Sequence, residues 1–357
     1  MRRVLTMTAI MLLTVLIGAP AAQACGFLVS ANGAVNLGKT TTLVVWEDGV
    51  EHYVTNFEFA GEAESFGSII PLPAVPTDVG KAGEWTLQRL QLEVAPPQPA
   101  GFALFAASVV AEDGAQVILR TQIDSLDVVV LRGGSQDVKT WVNDNGFNLP
   151  ETEATEHMFS FYGDRTQIWL ASRFDADQAA QDGFVSGDGI PVQITMPVDR
   201  PWVPLHILHG ASPDTAIIEA DVFLITPDRP NLLYGEGLTI ERSEEASPLL
   251  LDDLRSDENM EWVPQSGWFT YLALNTEAEN VVYDLAIGVE GNSPSFMDAG
   301  FTKFEPTTRQ LRAMGLTTDT NEAGQLLIVV LVGALAGTLG AAFVVNRKRH
   351  RSPDGQI

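Results

Sequence analysis

Cysteine is almost missing. The 357-residue chain has one, Cys25, which excludes an internal disulfide framework. Lysine is nearly as scarce, with Lys39, Lys81, Lys139, Lys303 and Lys348 the full set, and histidine stops at five. There is no GxSxG nucleophile turn and no HExxH helix. No calcium loop is complete either: Asp175-Ala176-Asp177 opens like one, but Ala179 and Ala180 stand where the third ligand and the turn glycine belong. The sequence therefore nominates no catalytic residue, no cofactor or cofactor-binding residue and no metal ligand.

Positive charge is short as well. The formal net charge is −25. Setting aside Arg2 and Arg3 at one end and the net +3 tail at the other leaves −30 on residues 25–323. Such a surface repels nucleic acid and anionic lipid headgroups, so neither is expected as a direct partner of this face. It attracts cations, weakly and without selectivity.

What is present is clearest at the two ends. Arg2 and Arg3, the apolar run Ala9–Leu16 and Ala22-Gln23-Ala24 have the layout of a secretory signal spanning residues 1–24. Cleavage between Ala24 and Cys25 makes Cys25 the first mature residue. Ala22 and Gln23 do not fit a lipoprotein signal, so a free amine is expected, with lipidation as the alternative. Leu326–Val345 is an uncharged run of 20 residues, about 30 Å as a helix and so long enough to span a bilayer. Asn346 and the basic run Arg347–Arg351 follow at once, while Asp319 and Glu322 precede it. That asymmetry puts the 346–357 tail in the cytoplasm and residues 25–314 outside, joined to the span by a polar tether at 315–325. Gly333, Gly337 and Ala341 recur every four residues, a small-residue face that allows a weak homodimer through the membrane helix. Without such pairing the helix is only an anchor.

The outer segment reads as α+β and mainly β. Thr41–Trp46, Asp48-Gly49 and Glu51–Phe59 form a strand, tight turn and returning strand. Ala103–Ala111, Asp113-Gly114 and Ala115–Gln122 repeat that pattern. Further strands are expected at Asp127–Leu131, Gln167–Ser172, Pro191–Met196, Val203–Leu208, Ile217–Ile225, Trp268–Leu274 and Val281–Val289. Ser135 is placed to cap a helix burying Val138, Trp141 and Val142, closed at Asn145-Gly146. A second short helix is expected over Pro306–Met314. Residues 133–150 allow a sub-boundary between two strand-rich halves. Gly235–Glu261 holds nine carboxylates against Arg242 and Arg255 and reads as a solvated loop.

Three motifs suggest chemistry and are discounted. Gly33–Thr40 spells the phosphate-loop pattern GxxxxGK[ST], but Thr41–Trp46 continues as a strand where that loop needs a helix. Lys39 then reads as an exposed residue at a strand entry. His206 and His209 lie three apart, and on a strand such side chains point to opposite faces, so a shared metal is not expected. Asn143-Asp144-Asn145 has oxygen donors but explains itself as a helix stop.

Several segments together resemble the bacterial family known as domain of unknown function 2330. They are Ala24-Cys25-Gly26, Phe59-Ala60-Gly61, Phe66–Pro76, Trp141–Pro150, Pro191–Ile194 and Pro201–Leu205, in that order. Members often carry a second cysteine shortly after the first, where this chain has Phe27-Leu28-Val29. The resemblance implies no catalytic residues. The expectation is a membrane-anchored, non-catalytic domain that contacts an envelope component or another protein; the alternative is an envelope hydrolase using carboxylates, with or without calcium.

Overall fold

The computed structural model describes residues 39–58, 65–95, 116–175, 189–210 and 212–301, the backbone of 22–23 and 27–30, and the isolated positions 178 and 181. Contacts divide the chain between Glu305 and Pro306, and every described residue belongs to the first unit. The Ala24/Cys25 junction, the strand at Ala103–Ala111, the helix at Pro306–Met314 and the 326–345 span with Gly333, Gly337 and Ala341 lie outside the described residues. Among the described residues no helix is long and apolar enough to cross a membrane.

In chain order the first strands are β1 (Ala22–Gln23), β2 (Phe27–Ser30), β3 (Lys39–Glu47), β4 (Val50–Glu58), β5 (Ser65–Leu72), β6 (Asp78–Lys81), β7 (Gln116–Ile123) and β8 (Leu126–Arg132). Then come β9 (Ile168–Asp175), β10 (Gly189–Pro197), β11 (Trp202–Val203), β12 (Ile217–Thr226), β13 (Asn231–Leu233), β14 (Leu238–Glu245), β15 (Trp268–Glu277) and β16 (Leu285–Gly288). The helices are α1 (Thr86–Val94), α2 (Ser135–Asp144), α3 (Glu153–Gly163), the single turn α4 (Ile207–Gly210) and α5 (Pro248–Ser256). The fold is mainly β with few helices.

The largest sheet runs β14-β15-β12-β3-β4-β10-β6, with β1 beside the start of β3. Its pairs are antiparallel except β12 and β1 with β3. A second sheet runs β2-β5-β9-β8-β7, and a small one β11-β16-β13. The central strands of the large sheet are buried on both faces. Val44, Trp46 and Tyr53 join the larger core, which holds Val129, Trp141, Phe159 and Trp169 of the second sheet and its helices. Leu43, Val45 and Val54 face the other way, under Leu87 and Leu90 of α1 and Leu250, Leu251 and Leu254 of α5. Two-sided burial is why Leu43, Val44, Val45 and Trp46 of β3 are a continuous apolar run with no polar alternation.

Local chemistry follows the sequence at most joints. Asp48 (φ 50°) and Gly49 (φ 79°) both take positive φ between β3 and β4, the backbone a two-residue hairpin turn needs. Gly146 (φ 84°) ends α2, whose buried face is Val138, Trp141 and Val142. The cap of α2 is one residue earlier than expected: Gly134 holds that position and donates its N–H to Asp137 at 2.8 Å, while the Ser135 hydroxyl donates to the Phe159 carbonyl.

Two expected elements are replaced. The acidic stretch 235–261 is not a loop; it forms β14, the charged edge of the large sheet, and α5, capped by Ser247 through a 3.1 Å bond from the Leu250 N–H. Its carboxylates are exposed or half-buried except Asp257, which is buried and accepts the Trp85 N–H and the Thr86 hydroxyl, while Leu250, Leu251 and Leu254 recur at helical spacing on the buried face of α5. The strand expected over Val203–Leu208 stops at Val203 and turns into α4. Likewise, only Leu285–Gly288 of the Val281–Val289 run pairs in a sheet.

Candidate metal centre

Helix α3 begins at Thr152, whose hydroxyl accepts the Thr155 N–H at 3.1 Å, with Glu153 and Glu156 in the first turn against the positive end of the helix dipole. It buries Thr155, Met158, Phe159 and Tyr162 and leaves His157 exposed. The turn α4 packs against it closely. The Thr155 hydroxyl donates to the Gly210 carbonyl at 3.1 Å, and a Cβ on Gly210 would stand 2.9 Å from that of Met158. Only glycine lets the two backbones approach this far.

A buried carboxylate holds the start of the turn. Asp284, fully buried, accepts the His206 N–H at 3.1 Å and the Tyr162 hydroxyl at 2.7 Å through one oxygen. Its other oxygen accepts the Trp202 indole N–H at 3.0 Å and lies 3.4 Å from the Arg165 guanidinium. The Tyr162 hydroxyl in turn accepts the Ile207 N–H at 3.0 Å. Two amides at the start of a helical turn are thus satisfied by side chains from α3 and from the residue just before β16. Burial pushes the Asp284 carboxyl up to about 6, against the lowering effect of Arg165 and the bonds from Tyr162, His206 and Trp202.

The consequence is a histidine cluster that strand geometry would forbid. Three apart on a helical turn, His206 and His209 lie on the same side, with ring centroids 5.5 Å apart. His157 comes from α3 to within 5.1 Å of the His206 ring and 6.4 Å of the His209 ring. One nitrogen from each of the three lies within 4.8 Å of the others.

Hydrogen bonding settles which nitrogens carry protons. His206 Nδ1 lies 2.5 Å from the Val281 carbonyl, and His209 Nε2 lies 3.3 Å from an Asp214 carboxylate oxygen. Both partners only accept, so these ring nitrogens donate. In the neutral rings that leaves lone pairs on His206 Nε2 and His209 Nδ1. Both atoms are buried, and neither has a protein partner. His206 is 0% exposed and His209 8%. Burial pushes His206 down to about 3, the Val281 carbonyl opposing and His209, His157 and Arg165 adding to the effect. Leaving a buried polar nitrogen unsatisfied costs about 1–3 kcal/mol, and here it happens twice in one cluster.

This is the arrangement in which imidazoles bind metals: one ring nitrogen donating to a carbonyl or carboxylate, the other presenting a lone pair. A tetrahedral zinc ion at 2.0–2.1 Å from each nitrogen needs them about 3.3 Å apart. The cluster has to tighten by up to about 1.5 Å, and His157 is its exposed member. The sequence reading missed the site because it made 203–208 a strand and passed over α3. Its signals were there: the Thr152 cap, the acidic first turn, and Met158, Phe159 and Tyr162 at helical spacing.

The other candidates fall into place around the sheet. Gly33–Gly38 lie outside the described residues, but Lys39 opens β3 and no helix follows it. Its ammonium is not free in solvent: it lies 2.7 Å from Asp221, whose other oxygen accepts the Tyr271 hydroxyl at 2.8 Å. Asn145 closes α2, its side-chain amide donating to the Trp141 carbonyl at 2.9 Å. A cavity of about 500 Å³ opens beside Asp284, with Trp202, Arg165, Arg200 and Asp298 in its wall. Arg200 in that wall lies 2.6 Å from Asp298, and Arg165 donates to the Met297 and Asp298 carbonyls.

A family model described as an uncharacterized protein conserved in bacteria (DUF2330) matches residues 19–218, more than half of the chain, and the chain belongs to that family. His157, His206, His209 and Asp214 fall within the matched stretch; Val281 and Asp284 lie beyond it. No curated protein matches. The crystal structure of baculovirus P35 is similar at 11% identity, covering 72% of this chain and 97% of that one with a TM-score of 0.37. A mutated baculovirus P35 after caspase cleavage is similar at 10% identity, covering 69% and 95% with a TM-score of 0.34.

Proposed function

We propose that this DUF2330 protein is an exported, membrane-anchored binding domain whose ligand is a divalent transition-metal ion held by His157, His206 and His209. Export and anchoring rest on the sequence: the signal pattern ending at Ala24, the apolar run 326–345 and the basic tail after it. The ligand rests on one observation. Two buried rings each have one nitrogen bonded to a protein acceptor and the other without a protein partner, and a nitrogen of each lies within 4.8 Å of one on a third histidine.

Imidazole selects borderline ions such as zinc, copper and nickel over calcium and magnesium, which prefer oxygen. The acidic surface adds a general attraction for cations but no selectivity. Zinc suits three nitrogens best, because it has no geometric preference of its own to violate.

Isothermal titration of the full chain with zinc tests the reading. One equivalent should bind at micromolar or lower Kd and stabilise the fold by about 2.7 kcal/mol at a hundredfold excess over Kd. His209→Ala should weaken binding at least a hundredfold, and magnesium should not compete. Equal zinc binding by wild type and His209→Ala would refute it.

A further inference from the structure

We infer that the metal held by the three histidines keeps its fourth coordination position open to solvent, where it takes water or a small monodentate anion. The inference rests on the metal-binding reading above and adds the class of exchangeable ligand.

The donor set carries it. Among the described residues the cluster contains three ligand atoms and no fourth. The carboxylates nearby are committed elsewhere. Asp214 bonds His209 at Nε2, the ring nitrogen away from the one left bare, so it braces the ring from behind. Asp284 spends both oxygens on Tyr162, Trp202, His206 and Arg165. Glu156 is paired with Lys139 at 2.6 Å, and Glu153, one turn before His157, falls outside the cluster. Closed zinc sites take four protein ligands, whereas sites with three keep a water at the fourth.

Burial gives the opening a direction. His206 and His209 form a buried wall, and His157 is the exposed member. An ion bound to all three therefore has His206 and His209 on its inner side and only His157 between it and solvent. The fourth position faces water. A surface charge of −30 over residues 25–323 does not exclude small anions there, because the ion itself is the largest local charge.

One residue of the chain could close the position instead. The backbone of β2 comes within 8 Å of α4, and Cys25 lies two residues before β2. Two residues of extended chain reach about 7 Å. A thiolate ligand would make the site closed, and the experiment separates the two cases.

The full chain is loaded with cobalt(II), whose visible bands report coordination, and titrated with sodium azide, in wild type and Cys25→Ser. The expected result is a saturable change of the cobalt bands on azide addition, the same in both proteins. An intense thiolate-to-cobalt band that Cys25→Ser removes would overturn the open position while leaving metal binding intact. So would cobalt bands that azide leaves unchanged. Alkylating Cys25 with iodoacetamide repeats the comparison should Cys25→Ser fail to mature. If wild type takes up no cobalt or zinc at all, the metal-binding reading itself fails and the open position with it.

Discussion

The Asp284 carboxylate accepts the backbone N–H of His206 at 3.1 Å, across 78 residues of chain. That bond turns the backbone after Val203 into a helical turn and sets His206 and His209 on one side. Three further donors, Tyr162, Trp202 and Arg165, hold the carboxylate in place. Geometry at the histidines is therefore decided by a residue that does not touch the metal position.

Asp284→Asn keeps the shape but puts an amide donor among groups that already donate. Denaturant unfolding should show a loss of about 2–4 kcal/mol, because one buried partner of a charged network is removed. Zinc affinity should fall about 10–100-fold, the usual effect of losing support behind metal ligands. An unchanged affinity in the folded variant would show that the turn stands without Asp284.

Glu51 is fully buried on β4, with one oxygen accepting the Trp202 N–H at 3.2 Å and the other without a partner. Burial holds its carboxyl well above the ordinary range, opposed by the Trp202 bond. A raised carboxyl favours the fold while protonated. That contribution is complete below the unfolded value near 4.5 and is lost as pH rises through the folded one. Glu51→Gln should accordingly raise stability at pH 7 by about 1–2 kcal/mol, less whatever its amide forfeits by lacking a partner. Melting temperatures from pH 4 to 8 should show a fall in wild type that is smaller in the variant, where the raised Asp284 carboxyl still contributes.

Lys39→Ala leaves Asp221 with the Tyr271 hydroxyl and no cation. Asp221 is 3% exposed, but Lys39 is about a third exposed, so solvent screens the pair and the expected loss is about 1 kcal/mol. Lys39→Ala with Asp221→Asn should recover most of it. Nucleotide added to wild type should change neither melting temperature nor the response to the substitution.

Topology is tested by a reporter enzyme fused after Ile357. With Arg347, Lys348, Arg349 and Arg351 proposed to hold that end inside, a reporter active only in the cytoplasm should work there. A fusion at the same point that works only outside the membrane contradicts the assigned orientation.

The strands were legible wherever one short window held the whole signal. Leu43, Val44 and Val45 flanked by threonines, then Asp48-Gly49, define β3, its turn and β4 without reference to the rest of the chain. The same holds for the buried face of α2 and its stop at Gly146. Helix α5 was hidden because nine carboxylates in 235–261 outweighed five leucines in any average of polarity, although the spacing of Leu250, Leu251 and Leu254 marked a buried face.

By itself the sequence determined that this protein is mainly β, acidic over its large segment and in possession of a single cysteine, because these are properties of local pattern and composition. It could not place His157 beside His206 and His209. Val203–Leu208 is apolar enough to be a strand, and no neighbour in sequence says otherwise. The deciding groups are remote: Tyr162 and Asp284 satisfy the amides at the start of α4, and Gly210 lets it lie against Met158. A short segment with two possible backbones takes the one whose buried N–H groups find acceptors, and those acceptors arrive only when the chain folds.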